Sequence, residues 1–507
     1  MKLYKIYIAA FLVLVGTGCK KDFLDVNTNP NALPTATPAY VLANAINTSA
    51  SSLVGVNETG MFWSGHWTQS NGYIISTTLF AYNFTNGDFN YWDGTYDNLY
   101  DYQYVINNAK DAGQEFAKGP AKIMQAFNYQ KLVDLYGNIP FSEALKGVGA
   151  LAPKFDDQKA VYEGLITLLD AGIADVKANP IPSAFTASDV LFKGSSTNWI
   201  KFANSLKLRI LMRQSRISGR DAYIVTELNK TIAEGTGFLT TADAGVNPGY
   251  TPSAGQINPF YDTYGYSETG ARRANNNWPR FTEFTVNSLK NTGDTVRMKR
   301  LMYAAGNEDA ANPGVSAKAE IASNYVGIPF GSSAGFLPAV TSAPGPAVLV
   351  KGVYNKPFII MTAAEVNLNL AEAKQRYASV NLTGTAQSYF EAGVKESYRA
   401  LGATASDATR LLASGVDLVD FTASTDKLKA IAYQKWLSLA LFNGLEAWSE
   451  YRKSGFPVTP QSKNYVTDAK RPVRLFYPGT ELGSNGANVN AQGTIDPLST
   501  RIFWDVD

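Results

Sequence analysis

This chain of 507 residues has very few of the side chains on which many catalytic and metal sites depend, with one cysteine and one histidine. Without a second cysteine it has no internal disulfide, and a chain of this length buries enough apolar surface to be stable without one. A single histidine, His66, excludes a zinc site built from several histidines. The P-loop signature of nucleotide-binding proteins is also absent. We therefore predict no metal and no cofactor.

The chain also lacks a net charge once its first residues are set aside. It has 45 Lys and Arg against 43 Asp and Glu. Two of the basic residues, Lys2 and Lys5, belong to an N-terminal leader, so 43 basic and 43 acidic residues remain. Such a balance is not the electrostatic footprint of a protein that binds phosphate backbones. We predict no nucleic-acid partner.

The only cysteine, Cys19, stands where a bacterial lipoprotein carries its lipid. A basic start, an apolar run over residues 6–15 and a Gly-Thr-Gly stretch over 16–18 are typical of a signal peptide. The run is shorter than the roughly 20 residues that a membrane-spanning helix needs. We predict a signal peptide over 1–18 and a lipid-anchored, turn-rich stalk over 19–38, although glycine replaces the usual leucine three residues before the cysteine.

Aromatic side chains are abundant, with 28 Tyr, 26 Phe and 8 Trp. Many of them stand beside Asn, Gly and Ser. Rings next to amides suit stacking on sugars or gripping peptides, while most rings in any protein belong to its core. Composition thus favours a binding protein but does not choose its residues.

Helical periodicity dominates beyond the stalk. Asn198 and Asp426 are predicted N-caps, and Thr362 with Glu365 forms a predicted capping box. The predicted helices come in neighbouring pairs: 90–110 with 119–136, 160–177 with 199–215, 363–378 with 385–400, and 426–441 with 444–453. Pairs with apolar stripes on two sides predict a mainly α scaffold of stacked helix pairs. The tetratricopeptide consensus itself is not legible.

Between about 235 and 360 the sequence changes to Gly, Pro, Ser, Asn and aromatics with little helical period. A long irregular stretch inside a helical body is typical of functional loops. We predict one domain over 39–507 with this loop-rich insertion.

Several stretches resemble one family, the SusD/RagB nutrient-binding outer-membrane lipoproteins, in its SusD-like branch. The most specific stretch is 446–457, Glu-Ala-Trp-Ser-Glu-Tyr-Arg-Lys-Ser-Gly-Phe-Pro. The others are Cys-Lys-Lys-Asp-Phe-Leu-Asp at 19–25, Asn-Thr-Asn-Pro-Asn at 27–31, Arg-Leu-Phe-Tyr-Pro at 474–478 and Arg-Ile-Phe-Trp-Asp at 501–505. The resemblance spans essentially the whole chain.

The resemblance implies tetratricopeptide-like helix pairs as scaffold and an irregular, loop-rich face that binds the ligand. It implies a lipid-anchored outer-membrane protein, exposed at the cell surface, that captures oligosaccharides without cleaving them. It also implies a partner, a SusC-like TonB-dependent barrel transporter that receives the ligand. Two alternatives remain open: uptake of oligopeptides, as in RagB, and a glycoside hydrolase, for which carboxylates are plentiful.

Family members of the glycan type use aromatics from an early loop and from the middle of the chain. The early candidates here are Trp67 and Tyr73 for stacking, with Gln69 and Asn71 as hydrogen-bonding residues. The alternative, that this stretch packs against the first helix pair, is equally open. Trp63 and Trp92 are predicted to be core residues, and His66 a polar loop residue.

The middle candidates are Tyr261, Tyr264, Tyr266, Arg272 and Trp278, in a stretch rich in Asn and Gly. Alternate tyrosines could form the inward face of a strand, whereas the adjacent asparagines favour a loop. Arg272 and its neighbour at position 273 would suit an acidic sugar or a peptide carboxylate. The ligand class stays open between glycan and peptide.

Overall fold

The computed structural model describes residues 36–110, 113–309, 316–332, 334–465 and 471–506. The predicted signal peptide, the predicted lipidation site Cys19 and nearly all of the predicted stalk lie outside these residues. The α-helices are, in chain order, α1 (Pro38–Trp63), α2 (Thr77–Phe80), α3 (Asp93–Asn108), α4 (Lys118–Tyr136), α5 (Gln158–Ala178), α6 (Ser196–Arg213), α7 (Asp221–Ala233), α8 (Pro259–Tyr264), α9 (Glu283–Asn291), α10 (Thr295–Leu301), α11 (Ala363–Arg376), α12 (Ala386–Ala400), α13 (Ala405–Leu412), α14 (Lys427–Leu439), α15 (Gly444–Ser454), α16 (Gly479–Ser484) and α17 (Gly486–Asn490). The strands are β1 (Trp67–Gln69), β2 (Ala244–Val246), β3 (Pro279–Phe281) and β4 (Phe358–Met361).

The predicted helix pairs are present, and the partners pack against each other: α3 with α4, α5 with α6, α11 with α12, and α14 with α15. Helix α11 is buried on all sides over residues 363–373, as two apolar stripes require. Neighbouring pairs also touch, through contacts of α6 with α11 and of α11 with α14. The prediction of a mainly α, tetratricopeptide-like stack of helix pairs is confirmed.

The helix caps were predicted in part. The Asp426 carboxylate accepts the N–H of Lys429, as expected for an N-cap. Asn198 is not the cap, because Ser195, three residues earlier, is the N-cap of α6 and its hydroxyl accepts the Asn198 N–H at 3.2 Å. A Ser and an Asn both cap well, so spacing to the first apolar residue could not choose between them.

The predicted capping box at α11 is half formed. The Thr362 hydroxyl accepts the Glu365 N–H at 3.1 Å. The Glu365 carboxylate instead binds the Arg209 guanidinium of α6, with its two oxygens 2.6 and 2.8 Å from the two nitrogens. A charge-assisted bidentate pair is stronger than a single bond to a backbone N–H, so the ion pair takes the carboxylate.

An ionic network is buried where four helices meet. We use this name for Arg209 and Arg213 of α6, Glu365 and Glu372 of α11, Lys435 of α14, and Glu446, Glu450 and Lys453 of α15. All eight side chains are at least nine-tenths buried, and each lies within ion-pairing distance of an opposite charge in the group. Four cations meet four carboxylates, so the charges of the group balance.

The network explains the stretch 446–457 that carries the family resemblance. Glu446, Glu450 and Lys453 belong to the network, while Trp448 is buried against Trp63 with ring centroids 4.9 Å apart. Arg452 lies 3.8 Å above the Trp448 ring. These side chains join helices, so the stretch is a structural signature and not a binding motif. The prediction that Trp63 is a core residue is confirmed.

The insertion between α7 and β4 attaches to the helical scaffold through its edges. It contains the short helices α8, α9 and α10 among turns. Antiparallel pairing of β2 with β4 closes its two ends, and pairing of β1 with β3 joins its middle to the segment after α1. This second pairing decides where the candidate site lies. In the part of the chain that the structure describes, no helix is long and apolar enough to cross a membrane.

A candidate ligand-binding face

Three loops meet on one face beside the paired strands β1 and β3. Their register sets Gln69 opposite Pro279, so the residues after β1 lie against those before β3. The Ser70 N–H donates to the Trp278 carbonyl at 2.9 Å. The Asn71 N–H donates to the Phe336 carbonyl at 2.8 Å. We call residues 70–76, 267–278 and 334–340 the joined-loop face.

Two rings are partly open on the joined-loop face. Tyr73 is half-buried, and its hydroxyl donates to the Ala274 carbonyl at 3.0 Å, so the early and middle loops are tied together. Trp278 is also half-buried, because it packs on Phe62 with centroids 5.1 Å apart. Ile74, the residue after Tyr73, is 96% exposed. The pair of rings held at fixed positions is suited to stacking on a sugar or other flat ligand.

Asn71 precedes Tyr73 in the same loop, and one of its two polar side-chain groups makes a hydrogen bond. Its side-chain oxygen accepts the Gly72 N–H at 2.9 Å. The amide nitrogen makes no hydrogen bond to the described residues. It is therefore available as a donor on the joined-loop face.

Trp67 and Gln69, the other two early candidates, do not reach the face. Trp67 is completely buried and meets Phe62 and Tyr264 edge-on, with centroids 6.1 and 5.6 Å away. Gln69 is buried too, and its amide binds the loop backbone at Tyr73 and two further positions. Side chains alternate between the two faces of a strand, but both faces of β1 are buried, so neither is open to a ligand. Trp67 is a core ring and Gln69 holds the loop in shape.

The three middle tyrosines are buried as well. Each uses its hydroxyl inside the protein: Tyr261 accepts the Gly352 N–H, Tyr264 donates to Glu58, and Tyr266 donates to Asp309. Tyr261 and Tyr264 lie on α8, where helical turns aim them at the core, so neither the strand nor the loop interpretation holds for them. These rings support the face from below and have no surface open to a ligand in this conformation.

The two arginines expected to bind an acidic ligand already have carboxylate partners. Arg272 is 2.5 Å from Asp309 and lowers the pKa of that carboxyl through their hydrogen bond. Arg273 pairs with Asp262 and lies 3.3 Å from Glu268. Both charges are compensated within the fold, which favours a neutral ligand over an anionic one on the joined-loop face.

Arg280 is a residue of this region that sequence reasoning missed. It is buried beneath the loops, where its guanidinium donates to the carbonyls of Pro279 at 2.8 Å and Pro338 at 3.4 Å. Glu308 lies 3.7 Å away. Burial lowers the pKa of Arg280 to about 10. An arginine inside a short apolar strand was a visible signal, because such a charge needs several backbone acceptors.

The third loop of the face was missed too. Phe336 and Leu337 lie in it, and Leu337 is 53% exposed. Their sequence neighbours are Gly, Ala and Pro, which indicate only a turn-rich segment. Nothing in that pattern places the loop beside Asn71, 265 positions earlier in the chain, so only the folded chain could reveal the contact.

His66 was predicted to be a polar loop residue, but it is buried. Its ring stacks on Trp436 with centroids 4.1 Å apart, and burial lowers the pKa of His66 to about 3. Residues 331–335, Gly-Ser-Ser-Ala-Gly, match the hydrolase pattern G-x-S-x-G in letters. That pattern needs a strand before and a helix after the serine, and the described residues around it form turns. Within the described chain no group of His, Cys, Asp or Glu could hold a metal ion.

A largely buried carboxyl that accepts a hydrogen bond from Tyr264 makes stability depend on pH. Burial raises the pKa of Glu58 from 4.5 to about 7, although the Tyr264 hydroxyl donates to it and opposes the rise. Between these values the folded chain holds a proton that the unfolded chain has lost, so stability falls as pH rises. We expect Glu58→Gln to match the wild type at pH 4.5 and to be about 3 kcal/mol more stable above pH 7.

Urea unfolding of both proteins over this pH range measures that difference. A gap in unfolding midpoint that opens with rising pH is the expected result. Parallel curves for the wild type and Glu58→Gln would contradict the assignment of the proton to Glu58.

Comparison with known proteins found matches that cover most of the chain. A family model, SusD-like, described as starch-binding and associated with the outer membrane, matches residues 30–478. A solved SusD homologue from Bacteroides fragilis is 18% identical, with a TM-score of 0.75 over 93% of this chain and 100% of that one. A SusD homologue from Bacteroides uniformis is 24% identical, with a TM-score of 0.71 over 92% of this chain and 100% of the other.

A chitin-binding SusD homologue from Flavobacterium johnsoniae is also similar. It is 22% identical, with a TM-score of 0.69 over 92% of this chain and 99% of that one. At such identities the likeness of these structures shows the fold alone. No curated protein sequence matched the chain.

Proposed function

Because this chain belongs to the SusD-like family of nutrient-binding proteins associated with the outer membrane, we propose that it captures oligosaccharides on the joined-loop face and does not cleave them. The observation that carries the proposal is the meeting of Tyr73 and Trp278 on that face. These rings come from segments about 200 positions apart in the chain and are tied by the Ser70 hydroxyl, which donates to the Asn277 carbonyl at 2.5 Å. Ring faces bordered by amides suit the C–H faces and hydroxyls of a neutral sugar.

Charge supports a neutral glycan rather than a peptide terminus. Arg272 and Arg273 each have a carboxylate partner, so neither offers an uncompensated charge to a ligand carboxylate. The amide of Asn71 and the carbonyl-rich loops offer hydrogen bonds of the kind that sugar hydroxyls accept and donate. Starch in the family's description and chitin in the name of one similar structure make malto- and chito-oligosaccharides the first ligands to try.

The route of the captured glycan is part of the same proposal. Residues 1–18 are removed as a signal peptide, Cys19 carries the lipid, and residues 19–38 form the stalk that holds one binding domain, residues 39–507, at the cell surface. A SusC-like TonB-dependent barrel receives the glycan from this domain. The signal layout and the family membership support this arrangement.

Removing either open ring is expected to weaken glycan binding. We expect Trp278→Ala and Tyr73→Ala each to lower affinity several-fold, since one stacked ring contributes about 1 kcal/mol, and the double variant to lower it more than about tenfold. Calorimetry or affinity gels with starch-derived, chitin-derived and peptide ligands measure the loss.

Tyr40→Ala is the matched control for these variants. Tyr40 is 65% exposed but lies at the first turn of α1, whereas the joined-loop face follows its last turn. Its removal should leave affinity unchanged. Unaltered binding in the double variant would refute the site, binding of peptides alone would refute the ligand class, and release of shortened glycans would refute the non-catalytic role.

A further inference from the structure

A cavity lies where the insertion meets the helical scaffold, and neither Tyr73 nor Trp278 is among its lining residues. Its volume is about 370 Å³. The insertion contributes Arg300, at the end of α10, and Lys356, just before β4. The scaffold contributes Arg399, at the end of α12. Asp243, the residue before β2, also lines the cavity. Three cations and one carboxylate are thus the charged groups that line it.

The carboxylate is already engaged. Asp243 lies 2.9 Å from Arg399, and its other oxygen accepts the Ala363 N–H at the start of α11 at 2.8 Å. Arg399 has a second partner, Glu396, at 2.5 Å. This pairing neutralises Arg399, whereas the other two cations of the cavity have no ion-pair partner among the described residues.

Arg300 and Lys356 have no carboxylate within ion-pairing distance among the described residues. The Lys356 ammonium donates to the carbonyls of Pro346, at 3.1 Å, and of Ala347. The Arg300 guanidinium makes no side-chain hydrogen bond to the described chain. Burial lowers the pKa of Lys356, and the nearby like charge of Arg300 lowers it further.

Outside the cavity, Asp407 also feels the Arg300 charge. Hydrogen bonds from Thr404 lower the pKa of Asp407 first, and Arg300 lowers it further. The Asp407 carboxylate is nonetheless committed to the cap of α13, where it accepts the N–H and the hydroxyl of Thr404 at 2.8 and 2.7 Å. It therefore does not neutralise Arg300 at contact distance.

Gly402 is part of the cavity wall beside the Arg300 guanidinium. A Cβ atom on Gly402 would lie 3.6 Å from a guanidinium nitrogen of Arg300, and this glycine has a φ of +77°. The turn that ends α12 thus passes close beneath the charge. Phe260, Phe358 and Leu401 form apolar wall around the two cations. Ion pairs are strengthened by such surroundings, because apolar walls screen charges less than water does.

We propose that this cavity binds a carboxylate, carried on a small ring-shaped body, between Arg300 and Lys356. The guanidinium offers paired N–H donors that match a carboxylate, and the ammonium adds a third. The ring of the ligand packs on Phe260 and Leu401. This cavity and the joined-loop face are separate sites. The joined-loop face binds either the neutral part of the same glycan or a different ligand.

Calorimetry with three small probes tests the proposal on the full folded chain. The probes are galacturonate, a sugar ring with a carboxylate; benzoate, an apolar ring with a carboxylate; and galactose, the neutral counterpart of the first. We expect at least one of the two acids to bind, and added salt to weaken its binding. If galacturonate binds, galactose should bind at least about tenfold more weakly. Binding by only one acid identifies the body that the wall accepts.

Substitutions assign that binding to the cavity. We expect Arg300→Gln to weaken the acid about tenfold or more, and Lys356→Gln to do the same. The matched control is Lys299→Gln, since Lys299 is the neighbouring cation on α10 but pairs with Glu320 at 2.5 Å outside the cavity. Trp278→Ala should leave acid binding intact, so failure of this site and failure of the joined-loop face are separable.

Three results would overturn the proposal. One is the absence of binding by both acids. Another is equal affinity for galactose and galacturonate, which would mean that charge is not recognised. The third is unchanged acid binding in an Arg300→Gln protein whose unfolding midpoint equals that of the wild type.

Discussion

Replacing Glu446 by alanine is expected to destabilise the folded chain by about 3–5 kcal/mol, because it leaves buried cations without their counter-charge. The Glu446 carboxylate pairs with Arg213 and lies 3.6 Å from Arg209. Burial pushes the pKa of Glu446 up, but the two arginines together hold it below its ordinary value. Without Glu446, the carboxylate left near Arg213 is that of Asp134, at 3.9 Å.

Urea unfolding of Glu446→Ala and Glu446→Gln separates charge from packing. The glutamine keeps the shape of the side chain, so a loss of similar size in both variants assigns the effect to charge. The control is Lys395→Gln, which removes an exposed pair with Glu391 at 3.9 Å and should change stability by less than about 0.5 kcal/mol. A loss below about 1 kcal/mol in both Glu446 variants would show that the ionic network does not hold α6 to α15.

Replacing Gly444 by alanine is expected to destabilise the fold by about 1–3 kcal/mol or more, because α1 and α15 touch there backbone to backbone. An added Cβ would lie 1.9 Å from the Asn57 carbonyl oxygen and 2.7 Å from the Met61 nitrogen. Backbone atoms cannot rotate away as side chains do, so the helices must separate. Separation would also break the bond from the Leu445 N–H to the Asn57 side chain, now 3.3 Å long.

Gly94→Ala is the matched control for this change. Gly94 lies in α3, and an added Cβ there would meet no atom within 4 Å apart from its chain neighbours and the nearby backbone of its own helix. In an open helical position alanine stabilises by roughly 0.5–1 kcal/mol relative to glycine. Opposite shifts in unfolding midpoint for the two variants are expected. A neutral Gly444→Ala would mean that α1 and α15 do not approach as closely as the structure has them.

The scaffold was largely predictable because its signals are local. Apolar stripes at helical spacing predicted the four helix pairs, and stripes on two sides predicted burial on two sides, as α11 shows. The error at Ser195 concerned one turn, since two good caps stood three residues apart. The half-formed box at Thr362 failed for a different reason: Arg209, 156 positions away, takes the Glu365 carboxylate.

The candidate face was predictable by segment but not by side chain. Both segments that meet there were selected from their rings and amides, yet Trp67 is core and Trp278 is at the surface. The sequence does not show that Trp67 packs against Phe62 inside the core while Trp278 packs against the same ring at the surface. Arg272 and Arg273 were expected to suit an acidic ligand, and the sequence does not show that Asp309 and Asp262 pair with them.

The sequence by itself determined the helical class of this protein, its pairing of neighbouring helices and its family, and it predicts a lipid anchor that stays a prediction. These follow from short-range periodicity, from composition and from motifs that are contiguous in the chain. Tertiary structure alone decided which rings are open, which charges are compensated and which loops meet. Those properties depend on contacts between residues hundreds of positions apart, and burial and pairing of a side chain are properties of its neighbours in space, which chain order does not contain.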